Sequence, residues 1–136
     1  MDEEFILQGT VKWSHDYEMQ SVSDTQKIMA SMASFIPPLH HHSGYIVLSN
    51  AGLIIQGLED DEDLAIPLSA MKQIYLGFDD TFPKSSSRSL GFLWQPLRIE
   101  YYISSLETVF VYLIIDYNGM RSNNKLWFDN LIQILG

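Results

Sequence analysis

The chain has 136 residues, 46% of them hydrophobic and 12% aromatic, which is enough apolar material for one core of ordinary size and leaves no room for a second domain. Eight Lys and Arg against seventeen Asp and Glu give a formal charge of -9, which excludes nucleic acid as a partner, because that binding draws most of its affinity from clustered cations. The same imbalance opposes broad adhesion to an anionic leaflet, and the absence of cysteine removes disulfides, thiolate chemistry and cysteine-ligated zinc and fits a reducing, cytoplasmic setting.

The start MDEEFILQG has neither the basic opening nor the long apolar stretch of a signal peptide, and the most apolar run, residues 109–115, is far too short to span a bilayer. From Phe5 to Met19 apolar and polar residues alternate, with Phe5, Leu7, Val11, Trp13, His15, Tyr17 and Met19 on the odd face. That period of two predicts a long half-buried strand, bent at Gly9. Ile28, Met29, Met32, Ala33 and Ile36 then recur at helical spacing until Pro37 and Pro38, which predicts a helix over about 25–35 with Ser23 or Asp24 as its cap. Residues 45–49 and 53–56 read as two strands joined across Asn50-Ala51-Gly52 in a hairpin turn. The acidic run 59–63 reads as a loop, and 64–68 and 72–78 as strands, with Pro67 marking an edge or a break. Residues 79–89, with Pro83 and four serines, read as a loop, and strands resume at 90–94, 97–103 and 108–115. In the last strand both faces are apolar, which calls for a covering helix or a partner chain. Trp127, Phe128, Leu131, Ile134 and Leu135 share one side of a closing helix over 122–135, with Ser122, Asn123 or Asn124 available as its cap.

Successive antiparallel strands closed by one tryptophan-bearing C-terminal helix resemble the pleckstrin-homology-like superfamily, and more narrowly its GRAM-like and bacterial branches. Residues 44–135 carry the resemblance: GYIVLSNAGLIIQG reads like the signature hairpin, AIPLSAMKQIYLG like the stretch that follows it, and Trp127 in KLWFDNLIQIL like the indole that plugs the open barrel end. The resemblance implies a mainly β (α+β) domain over 1–136, a partly open antiparallel barrel closed by the C-terminal helix, with 14–43 as an insertion that carries the extra helix. In lipid-binding relatives the loop between the first two strands supplies basic residues for a phosphorylated head group. Residues 14–43 offer only Lys27 and histidines, so lipid binding loses its support.

Each candidate site has a bland alternative. His40, His41 and His42 carry the commonest neutral metal ligand, but consecutive side chains diverge, and a solvated loop without metal is the expectation. Lys84, Ser85, Ser86, Ser87 and Arg88 form the one cationic, hydroxyl-rich stretch; Lys84, Ser86 and Arg88 are the candidate ligand-binding residues for a phosphate or carboxylate, although no glycine pattern shapes a cradle there. The acidic run lacks the ligand spacing and central glycine of a calcium loop and reads as a solvated turn. Tyr101, Tyr102, Phe110 and Tyr112, and Trp94 beside Pro96, read as core filler or as a pocket or interface.

No nucleophile motif, zinc-protease pattern, P-loop or dinucleotide fingerprint is present, so no catalytic residue and no cofactor are expected. The sequence therefore favours a non-enzymatic module that binds a protein or peptide, or itself as a homo-oligomer, through a strand edge or an aromatic surface. The alternatives are a phosphorylated small ligand or lipid head group at the barrel mouth, and an enzyme in which a histidine meets a carboxylate in a concave site.

Overall fold

A computed structural model describes residues 5–19, 42–58, 61–77, 95–118 and 121–136. In chain order the elements are β1 (Phe5–His15), the short helix α1 (Asp16–Met19), β2 (His42–Ser49), β3 (Gly52–Gly57), β4 (Leu64–Pro67), a 3-10 turn (Leu68–Ala70), β5 (Met71–Leu76), β6 (Leu97–Tyr102), β7 (Thr108–Ile115) and the helix α2 (Asn124–Leu135). The expected helix over 25–35 and the strand over 90–94 lie outside the described residues.

The seven strands among the described residues join one antiparallel sheet in the order β4-β3-β2-β1-β7-β6-β5, so two meanders meet along β1. The eleven residues of β1 make this possible by division of labour along its length. Residues from Phe5 to Trp13 pair with β2, those from Val11 to His15 pair with β7, and Val11, Lys12 and Trp13 are flanked on both sides.

Alternation sets what is buried. Val11 and Trp13, Ile46 and Leu48, Leu53 and Ile55, and Val111, Leu113 and Ile115 face one core, which α2 enters with Trp127 and Leu131. Trp127 is only 1% exposed, as its place on the apolar side of the helix predicts. α2 packs against β5, β6 and β7. The opposite face of β7 is buried too, because Tyr112 and Ile114 form a second cluster with Phe110 and Tyr117.

Several boundaries differ from the sequence expectation. β1 ends at His15 rather than running to Met19: the chain turns into α1, and Asp16 Oδ1 accepts a hydrogen bond from the Phe110 N–H at 3.4 Å. Phe5 is 73% exposed, so the odd face meets the core only from Leu7 onward. No register shift falls at Gly9, which pairs with Ile46; the pairing irregularity lies between Phe5 and Leu7. Gly9 allows a close approach, because a Cβ there would stand 2.6 Å from an Asp116 carboxylate oxygen that accepts the Thr10 N–H, and that carboxylate would have to shift. The β2–β3 hairpin does turn across Asn50-Ala51, but neither takes a positive φ; Gly52 does, at 150°, and absorbs the conformational demand that an Asn-Gly turn would place one residue earlier. Pro67 ends an outer strand, where its missing N–H costs no ladder bond. Among the described residues, no helix is long and apolar enough to cross a membrane.

Candidate functional site

Of the sequence candidates, Lys84, Ser86 and Arg88 lie outside the described residues, as do His40, His41, Trp94, Glu59 and Asp60. Among the described residues, no group of three or more His, Cys, Asp or Glu is placed to hold a metal ion.

His42 opens β2 opposite Trp13 of β1, and the two rings stack with centroids 5.1 Å apart. Its Nδ1 lies 2.6 Å from Asp61 Oδ1, while Asp61 also accepts the N–H groups of Ser43 and Glu62, each at 2.8 Å. Burial works to raise the Asp61 pKa, but the hydrogen bonds from His42, Ser43 and Glu62 and the charge of the imidazole outweigh it and hold the carboxyl below its ordinary 3.8. Asp63 accepts the Gly57 N–H at 2.9 Å. The acidic run is therefore more than the solvated turn expected from sequence, because two of its carboxylates close the β3–β4 connection. The contact of a histidine with a carboxylate that an enzyme would need does occur at His42 and Asp61, and its visible work is to pin that loop to β2.

His15, at the far end of β1, is 5% exposed, and its Nε2 lies 2.6 Å from the Tyr101 hydroxyl. Tyr17 stacks on the same imidazole with centroids 4.9 Å apart. Burial, with smaller contributions from Tyr17 and Asp16, pushes the Tyr101 phenol up to about 12. Tyr101 and Tyr112 are thus core residues, as expected for filler, whereas Tyr102 is 41% exposed.

The outer faces of the two meanders differ. On the β5–β6–β7 side the Arg98 guanidinium sits over the rings of Tyr75, at 4.7 Å, and Phe110, at 4.9 Å, and covers apolar surface with a cation. On the β2–β3–β4 side Val47 stands opposite Ile54, and Ile54 opposite Ala65. Ile54 is 44% exposed and Tyr45, one pair along on the same face, is 55% exposed. This apolar row runs across three strands to β4, which pairs only with β3 among the described residues. The sequence predicts an edge or an aromatic surface but does not single out these residues. The available signal was YIVLS beside LIIQ, where both faces of each strand carry apolar side chains although only one can face the core.

No protein-family model matches the chain, and no curated protein matches it. Among solved structures the chain is similar to the crystal structure of the C-terminal domain of an unknown protein from Leishmania infantum, with a TM-score of 0.55 and 9% sequence identity, over 98% of this chain and 84% of that one. The similarity supports the mainly β architecture and speaks to fold alone.

Proposed function

We propose that the chain is a non-enzymatic interaction module of the pleckstrin-homology-like type, which takes an extended segment of a partner protein along the outer edge of β4. The fold assignment is supported by the meander order, by the first strand shared between two halves of the sheet, and by the single C-terminal helix whose Trp127 enters the core. The observation that carries the binding mode is the row Val47-Ile54-Ala65, which leads to the outer strand with exposed apolar side chains. An added strand gains main-chain hydrogen bonds from β4, and its alternate side chains continue the row beside Ala65. The edge of β4 is four residues long and ends in Pro67, so the docked segment is short.

Panning a displayed peptide library against the wild-type protein tests the proposal. The expected result is enrichment of short sequences with alternating apolar residues, whose binding falls at least about tenfold, or ~1.4 kcal/mol, in both Ile54→Lys and Ala65→Lys. Enrichment of nothing, or of peptides that bind these variants as well as the wild type, overturns it. A second copy of the chain as the docked partner would appear as a concentration-dependent mass in light scattering that Ala65→Lys abolishes.

A further inference from the structure

Lys12 stands at the middle of β1 on the face turned away from the main core, directly opposite Ser43 of β2 on one side and Ile114 of β7 on the other. Directly opposed side chains in an antiparallel sheet have Cβ atoms about 5 Å apart, so these three share one small patch. They line a cleft of about 160 Å³ together with Thr10, Tyr45, Leu58 and Tyr117. Ile114 is fully buried, whereas Leu58 is 43% exposed at the rim.

Among the described residues, Lys12 has no ion pair in a chain whose formal charge is -9, and the hydroxyls of Ser43 and Tyr45 donate to no neighbour. The two carboxylates that bond to cleft residues, Asp61 at Ser43 and Asp116 at Thr10, are already engaged. Asp61 accepts from His42 and from the N–H groups of Ser43 and Glu62. Asp116 accepts from the Thr10 N–H and hydroxyl and from the Asn123 amide. One half-buried cation and two hydroxyl residues thus line one cleft with an apolar floor, and among the described residues no anion pairs with them.

We propose that this cleft binds the carboxylate of a short apolar group, with Lys12 as the charge anchor, Ser43 and Tyr45 as hydrogen-bond donors, and Ile114 with Leu58 as the contact for the hydrocarbon. The size limits the occupant to one small group, since pockets for drug-sized ligands span about 300–1,000 Å³. The charge limits it as well. A phosphate monoester brings roughly two negative charges, and the fields of Asp61 and Asp116 oppose the second, whereas a carboxylate brings one and matches a single ammonium. The site lies on β1, β2 and β7, so it does not depend on docking at the edge of β4.

The test is a titration of the whole chain with hexanoate, followed by amide chemical shifts. Hexanamide and inorganic phosphate serve as comparison probes. The expected result is saturable shifts at Lys12, Ser43 and Tyr45 with a Kd of about 1 mM. Hexanamide and phosphate should leave these amides unmoved at the same concentrations, Lys12→Met should weaken hexanoate at least about tenfold, and Lys12→Arg should retain it. Lys12→Met keeps the aliphatic stem, so a lysine that merely covers Ile114 while its ammonium stays in water gives equal binding in wild type and variant, and that outcome overturns the proposal. It is overturned equally if hexanamide shifts the same amides to the same extent, or if hexanoate at about 10 mM shifts none of them. N-acetyl-leucine compared with its amide distinguishes the source: tighter binding than hexanoate assigns the cleft to a C-terminal peptide carboxylate, and weaker binding assigns it to a free acid, both within the proposed chemistry.

Discussion

Asn124 and Asp61 use one device at two depths. Each side chain holds three groups: Asn124 accepts the Ile115 N–H at 2.8 Å and donates to the carbonyls of Leu113 at 2.9 Å and Gln95 at 2.6 Å. Asp61 accepts from His42, Ser43 and Glu62. Asn124, however, is 1% exposed and the Asp61 side chain 21%. The bonds on the two sides are equal in number, and what separates them is whether water can replace a lost partner. Burial, and not the count of bonds, then ranks the consequences.

The sharpest way to break that comparison is Asn124→Leu, which strands the Ile115 N–H and the Leu113 carbonyl where solvent does not reach, and leaves the carbonyl of exposed Gln95 to water. At about 1–3 kcal/mol for each unsatisfied group, with some relaxation, a loss of about 3–5 kcal/mol is expected in urea unfolding. A loss below about 1 kcal/mol would show that the sheet end opens to water and that depth is not decisive.

Tyr101→Phe, which removes one buried partner of His15, comes next, at about 1–2 kcal/mol. It also carries a pH signature. The folded state keeps the phenol protonated up to about 12, whereas the unfolded chain releases the proton near 10.0, so the contribution is complete below 10.0 and is lost as pH rises toward 12. Stability measured across that window should fall more steeply in the wild type than in Tyr101→Phe, and ultraviolet absorbance should show a phenolate step near 12 that the variant lacks.

Asp61→Asn should cost less than loss of Asn124, about 1 kcal/mol near neutral pH, because water enters where the carboxylate leaves. Its folded pKa lies below 3.8, so its contribution is present above that value and lost as pH falls through the folded one. The variant should therefore show a shallower acid branch in a plot of unfolding free energy against pH.

At the shallow end, Lys125→Ala removes an ion pair to Asp129 at 2.8 Å on the open side of α2 and should change stability by no more than about 0.5 kcal/mol, with any effect erased by salt.

The strands were legible wherever one face was buried. The expected strand over 108–115 matches β7 residue for residue, and the hairpin at Asn50-Ala51 and the outer position of Pro67 follow from local chemistry. What depended on distant partners was not legible. Asp61 looked like one acid in a run of five because His42, 19 positions away, gives it its role. Asn124 reads from sequence as a possible helix cap, yet its amide turns inward to the sheet, and the N-cap residue Asn123 makes no capping bond through its side chain. The stop of β1 at His15 is hidden in the sequence because apolar alternation continues through Tyr17 and Met19 while the backbone turns. The candidate surface was only half legible: excess apolar residues on β2 and β3 were visible, but cross-strand register decides that Val47, Ile54 and Ala65 align.

Because β1 borders both halves of the sheet, it is synthesised before β7 and waits for it. Thr10 and Asp116, which close that seam, lie 106 positions apart. Until β7 emerges, one side of the nascent β1 has no ladder to join, and closing so long a loop is costly before any contact rewards it. Synthesis is thus the period of greatest exposure to mispairing, and a chain cut short before Thr108 keeps an unmatched ribbon at its heart.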